Sequence, residues 1–152
     1  MSAPEPPDPV SAGARAAGLL EEACRSAAAN SLQLEVVRDL ALDIERELDA
    51  LAGLARENHT RDVLTEAALH CAALANLAAC NVPELSPAAA TRAAVAVRLA
   101  AGAVRDLRSL VEGGDPAEEH PANLLRDLRS AAWRAEFATL LVDAPPGGEL
   151  SC

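Results

Sequence analysis

Residues 61–82 read RDVLTEAALHCAALANLAACNV, and this stretch decides the fold. From Ala67 to Pro83 no Asp, Glu or Arg interrupts it, and its polar residues are His70, Asn76 and Asn81. Placed at 100° intervals, Leu64, Ala67, Cys71, Leu74 and Ala78 form one helical face. Leu69, Ala73, Leu77 and Cys80 form the opposite one, which is also apolar. A helix apolar all round is normally surrounded by other helices. The uncharged run is shorter than the ~20 residues a bilayer crossing needs, so it predicts a buried helix and no membrane span. Its alanines let neighbouring backbones approach closely. Either four companion helices wrap it, or a second copy of the chain covers one face.

Outward from this helix, proline and glycine mark the boundaries of its companions. Pro83, Pro87, Pro116 and Pro121 fall where helices should start or stop. A first helix is expected over about Ser11 to Ala29. The second runs from Leu32 to Glu57, with Val37, Leu40, Ile44, Leu48, Leu51 and Ala55 as its inward seam. The fourth is capped by Ser86, carries Pro87 at its first position, and turns Val97, Ala100, Val104, Leu107 and Val111 inward before Gly113-Gly114. The fifth runs from Pro121 or Ala122 to Asp143, with Leu125, Leu128, Ala132 and Ala135 inward. Residues 1–10 and 144–152 are Pro-rich and read as disordered tails around a bundle at 11–143.

Composition agrees. The 152 residues suit one domain, and roughly two-thirds of the unfolded surface of such a chain is buried on folding. Half the residues are apolar, chiefly Ala and Leu, while strand formers are scarce: one Trp, one Phe, no Tyr. The prediction is an all-α, single-domain bundle of about five helices. The net charge is −10, which excludes nucleic acid as a natural partner. Every cation is Arg, which reads as the bias of a GC-rich, bacterial genome and leaves no lysine for Schiff-base chemistry. The opening Met1-Ser2-Ala3-Pro4-Glu5-Pro6-Pro7 has neither a basic nor an apolar segment of a secretory signal, so a cytoplasmic location is expected. Cys24, Cys71, Cys80 and Cys152 then read as reduced thiols packed as small hydrophobes. Cys71 and Cys80, nine residues apart on one helix, are separated by about 13 Å of rise and cannot bond each other.

The chemistry-bearing residues are few. Glu35, Asp39, Asp43 and Glu47 recur every four residues, and such a row wants Arg compensation from Arg38, Arg46, Arg98 or Arg105. A di-iron bundle would need Glu-x-x-His pairs, which are absent, as are the zinc, phosphate-loop, dinucleotide and nucleophile-elbow motifs. No metal or cofactor is therefore expected. His70 is the most notable titratable residue, four after Glu66, whose carboxylate can orient its imidazole. Cys71 diverges from His70 by 100°, so the two make no catalytic dyad. His59 and His120 fall in turns.

One resemblance adds to this. Leu32-Gln33-Leu34-Glu35-Val36-Val37, a polar turn, Asp62, Ala67-Ala68, Ala72-Ala73-Leu74 and Asn81-Val82 together resemble part of the formiminotransferase-cyclodeaminase C-terminal family, over about Ala14 to Val111. In that family of helical cyclodeaminases an Ala-rich buried helix follows an Asn/Ser-Asp turn. The family's Pro-Gly-Gly-Gly-Ser folate segment is absent here, and Glu57-Asn58-His59-Thr60 replaces its Gly-Asn-Pro turn. The resemblance implies a shortened relative, with Asn58, Asp62 and Asn81 as the positions that carry over.

Besides a ligand-sensing helical domain lacking its own output module, two functions are consistent with the residues. The first is a small self-associating binding or assembly protein, whose partner is a second copy or another helical protein. The alternative is a cyclodeaminase-like bundle holding a folate-type small molecule near His70, Glu66, Asp62, Asn58 and Asn81. No catalytic residue can be named for either.

Overall fold

The computed structural model describes residues 8–27, 31–57, 60–113 and 122–143, with the side chains of 26, 27 and 122 excepted. These residues form five α-helices: α1 (Pro9–Ala27), α2 (Leu32–Glu57), α3 (Arg61–Asn81), α4 (Pro87–Glu112) and α5 (Ala122–Asp143). A single 3-10 turn, Val82–Glu84, follows α3, and the described residues contain no strand. The all-α bundle expected from composition and periodicity is the fold. Of the expected first tail, Pro9 and Val10 belong instead to α1, with Val10 buried in the core, while residues 1–7, the second tail, the helix-four stop at Gly114 and the turn residues Asn58, His59 and His120 lie outside the described residues.

Local chemistry sets the helix ends. α1 begins at Pro9, two residues before the expected Ser11, because Asp8 caps it: its carboxylate accepts from the Val10 amide at 3.1 Å and the Ser11 hydroxyl at 3.3 Å. Proline suits the first helical position, where no amide donor is required. Thr60 caps α3 through the Val63 amide, and Ser86 caps α4 through Ala89. At its other end α4 stops on Gly113, whose amide donates to Ser109 O at 2.9 Å.

α3 is the axis. It packs against α1, α2, α4 and α5, while α1 also packs on α2 and α4, and α4 on α5. Eleven of its residues are buried, among them Leu64, Ala67, Cys71, Leu74 and Ala78. By length and composition the stretch Arg61–Glu84 is apolar enough to cross a membrane. In this fold it is the core helix of the bundle. The core contains no aromatic side chain. Its largest fully buried members are Leu20, Leu48, Leu74, Leu107 and Leu128, with valines, alanines, Cys24 and Cys71 between them.

Close approach of the backbones is clearest at Gly13 of α1. A Cβ added there would overlap Cys71 Sγ on α3 and meet Leu48 Cδ1 of α2 at 3.3 Å. Three helices converge where only hydrogen fits.

Two inward faces differ from expectation. On α2 the buried set is Leu34, Val37, Ala41, Leu48, Leu51, Ala52 and Ala55, whereas Leu40 is 45% exposed and Ile44 half-buried. On α5 the buried set is Leu124, Leu128, Ala131, Ala135 and Ala138, a rotation of one residue from the expected Leu125 and Ala132, which are half-buried. On α2 Ala41 is buried and the neighbouring Leu40 is turned toward the rim, whereas on α5 Leu124 and Ala131 are buried in place of the adjacent Leu125 and Ala132. The α4 stripe, Val97, Ala100, Val104, Leu107 and Val111, is buried as its spacing predicts.

Candidate functional site

The four helices around α3 do not close. All the exposed and half-buried residues of its last five turns, Glu66, Leu69, His70, Ala73, Asn76, Leu77 and Cys80, fall at spacings of three and four. They form one stripe, open along the gap between α2 and α5. The second apolar face read from the sequence is therefore only partly covered.

The walls of this gap can be placed from two contacts. Gln33 Nε2 of α2 donates to Asn81 Oδ1 of α3 at 2.8 Å, which pairs the start of α2 with the end of α3. The heptad positions after Gln33, namely Leu40, Glu47 and Leu54, occupy the same α3-facing edge, and Leu40 and Leu54 are exposed there. On the other side, Asn123, Leu124 and Asp127 of α5 line a crevice of about 190 Å³ with Asp62, Thr65, Glu66 and Leu69 of α3. α5 thus runs parallel to α3, and α2 antiparallel.

The outer face of α5 holds the chain's only two aromatic residues. The rings of Trp133 and Phe137 stack with centroids 5.4 Å apart and planes 2° from parallel. Trp133 is 67% exposed, and Leu140 beside it is also exposed. Arg126, Arg129 and Arg134 surround this ridge, all exposed. The outer face of α2 carries Leu32 and Val36, also exposed, among Glu35, Asp39 and Asp43, and continues into the Leu40, Glu47 and Leu54 edge. That acidic row is a solvated face with loose Arg partners: Arg38 lies 3.7 Å from Asp39 and Arg46 3.9 Å from Asp43. Arg98 pairs instead with Asp143 of α5, at 2.7 Å.

The sequence-derived site residues are only partly brought together. Asp62 and Glu66 share the α3–α5 crevice, and His70 Nε2 lies 3.9 Å from Glu66 Oε1, close enough for orientation but beyond hydrogen-bond length. Asn81 is eleven residues beyond His70, about 16 Å along the helix. Both ends of its amide are engaged in the fold, Oδ1 with Gln33 and Nδ2 with Leu77 O at 2.8 Å. Asn58 lies outside the described residues. The crevice holds one feature the sequence did not suggest: the Thr65 hydroxyl is buried with no hydrogen-bond partner. No group of three or more His, Cys, Asp or Glu side chains able to hold a metal occurs among the described residues.

Cys24 and Cys71 are free, buried thiols, as expected. Burial pushes Cys71 up to about 12 and raises Cys24, with Glu21 adding to the latter, so both stay protonated and unreactive. Cys80 corrects the expectation of reduced thiols, because it is disulfide-bonded. It lies on the open stripe of α3, where another sulfur can reach it, whereas Cys24 and Cys71 are enclosed.

Comparison with protein families, curated proteins and solved structures finds no match. The functional reading rests on the geometry of this chain.

Proposed function

We propose that the protein is a small cytosolic binding and assembly protein that works through the open α2–α3–α5 face. The observation that carries this reading is the stacked Trp133–Phe137 pair on the outside of α5. Large aromatics bury more apolar area than any other side chain and dominate interface energetics. A chain that sets its one Trp on the surface, with its one Phe half-buried and stacked on it, while filling its core with Ala, Leu and Val, has its aromatics where a partner gains from them. Exposed apolar residues on α2 and half-buried ones on α3 extend the patch across the gap, and charged residues rim it in the manner of a protein interface.

The test is site-specific photo-crosslinking. A benzophenone amino acid at position 133 of the full chain should give a discrete cross-linked species on irradiation. The same probe at Arg92, exposed on α4, should not. Absence of any adduct at 133 above the Arg92 control overturns the reading.

The unpartnered Thr65 hydroxyl favours a second reading, in which the α3–α5 crevice holds a small molecule. Its carboxylates, Asp62, Glu66 and Asp127, suit the N–H edge of a folate's pterin ring and disfavour its glutamate tail. A folate at 100 times its dissociation constant would stabilise the fold by about 2.7 kcal/mol, so thermal shift decides it, and no shift rejects it.

A further inference from the structure

The geometry points to a second copy of this chain as the occupant of the open face, docked in parallel about a two-fold axis running along α3, so that α2 of each copy lies on α5 of the other. This rests on the proposed binding role of that face and adds its partner and orientation.

Opposite charges at matched height define this orientation. The Gln33–Asn81 hydrogen bond fixes α2 against α3, and the shared crevice of Asn123 and Asp127 with Asp62 and Glu66 fixes α5. Counting turns from these anchors at equal rise per residue, Asp43 lies level with about Cys71 of α3, and Glu47 with about Ala67. By the same count Arg134 lies level with about Ala73, and Arg126 with about Thr65. The exposed acids of α2 and the exposed arginines of α5 therefore occupy the same two levels on opposite sides of the gap. Within one copy they do not meet. Arg126 and Arg134 make no ion pair among the described residues, and Asp43 has only the 3.9 Å contact with Arg46.

A two-fold axis along α3 exchanges left for right while preserving height. It brings Asp43 of one copy to Arg134 of the other and Glu47 to Arg126, twice over, as an isologous contact requires. An axis across α3 would instead oppose α2 to α2 and α5 to α5, acid to acid and Arg to Arg, which is unfavourable. The apolar residues obey the same geometry. Val36 and Leu40 of α2, Ala73 and Leu77 of α3, and Phe137 and Leu140 of α5 all fall at the level of the last three turns of α3. The parallel arrangement stacks these patches on each other and leaves Asp62, at the other end of the stripe, outside the apolar centre.

Charge exchange tests this on the full chain, with and without reductant so that no cysteine cross-link contributes. Sedimentation equilibrium of the unmodified protein should give about twice the 15.7 kDa chain mass. The variants Asp43→Arg/Glu47→Arg and Arg126→Glu/Arg134→Glu should each lose the doubled mass while keeping the helical circular dichroism of the parent. Mixed one to one, they should recover it as a heterodimer, because both cross-contacts then pair opposite charges. A monomeric parent at its highest soluble concentration overturns the second copy as occupant. Variants that still dimerise alone overturn the surface, and a mixture that stays monomeric overturns the parallel orientation. A monomeric parent whose position 133 still cross-links to a different protein leaves the binding role standing and removes only this inference. No adduct at 133 removes both.

Discussion

At the scale of single residues, the bundle is most tightly constrained at Gly13. Alanine is the better helix former by roughly 1 kcal/mol, so on propensity alone Gly13→Ala should stabilise α1. The added methyl would occupy the space of Cys71 Sγ, and overpacking of that kind costs about 1–3 kcal/mol. Steric overlap wins. Gly13→Ala is expected to lower unfolding free energy by about 1 kcal/mol in urea titrations. Adding Cys71→Ala should restore part of the loss, since the methyl then fills the space the sulfur leaves. A double variant no better than the sum of its parts would mean that the two sites are not in contact. Asn81 illustrates the opposite case: a polar residue that reads as a ligand in sequence is used up by hydrogen bonds within the fold.

At the scale of helices, α1 and α2 enclose a second crevice, lined by Arg15, Gly18 and Glu22 on one side and Glu45 and Asp49 on the other. Burial, then Asp49, Glu21 and Glu22, raise the Glu45 carboxyl above its ordinary 4.5. A raised folded-state value means that the fold disfavours the ionised form. The resulting destabilisation is complete above the folded value and fades as pH falls toward the unfolded one. Glu45→Gln should therefore raise the melting temperature at pH 7, and the gain should shrink to nothing as the pH approaches about 4. An equal gain at both pH values would place its cause outside this titration. The helices themselves were legible because proline, capping Ser or Thr and 3.6-residue spacing act locally. Their rotational phase was less so. Leu40 and Ala41, or Leu124 and Leu125, are adjacent and both apolar. Which one faces inward depends on how close the neighbouring helix comes, and alanine contacts bring it close.

At the scale of the molecule, the open face was half visible in the sequence. Residues 61–82 declared two apolar faces, and only an assembled bundle could tell that four companions cover one fully and the other in part. The chemistry of the face was not visible at all, because it is shared by three helices whose heights are set by contacts such as Gln33–Asn81, 48 positions apart. Trp133 and Phe137, four residues apart in a chain poor in aromatics, were the available signal, and their spacing alone does not separate an outer ridge from an inner one. Their position gives the protein an unusual optical property. Its one indole is in water in the isolated chain and touches none of the core, so its emission should change little when the bundle melts. Whatever settles on α5 must shield that indole and shift its emission to the blue. The fluorescence of this protein is a gauge of its company and not of its folding.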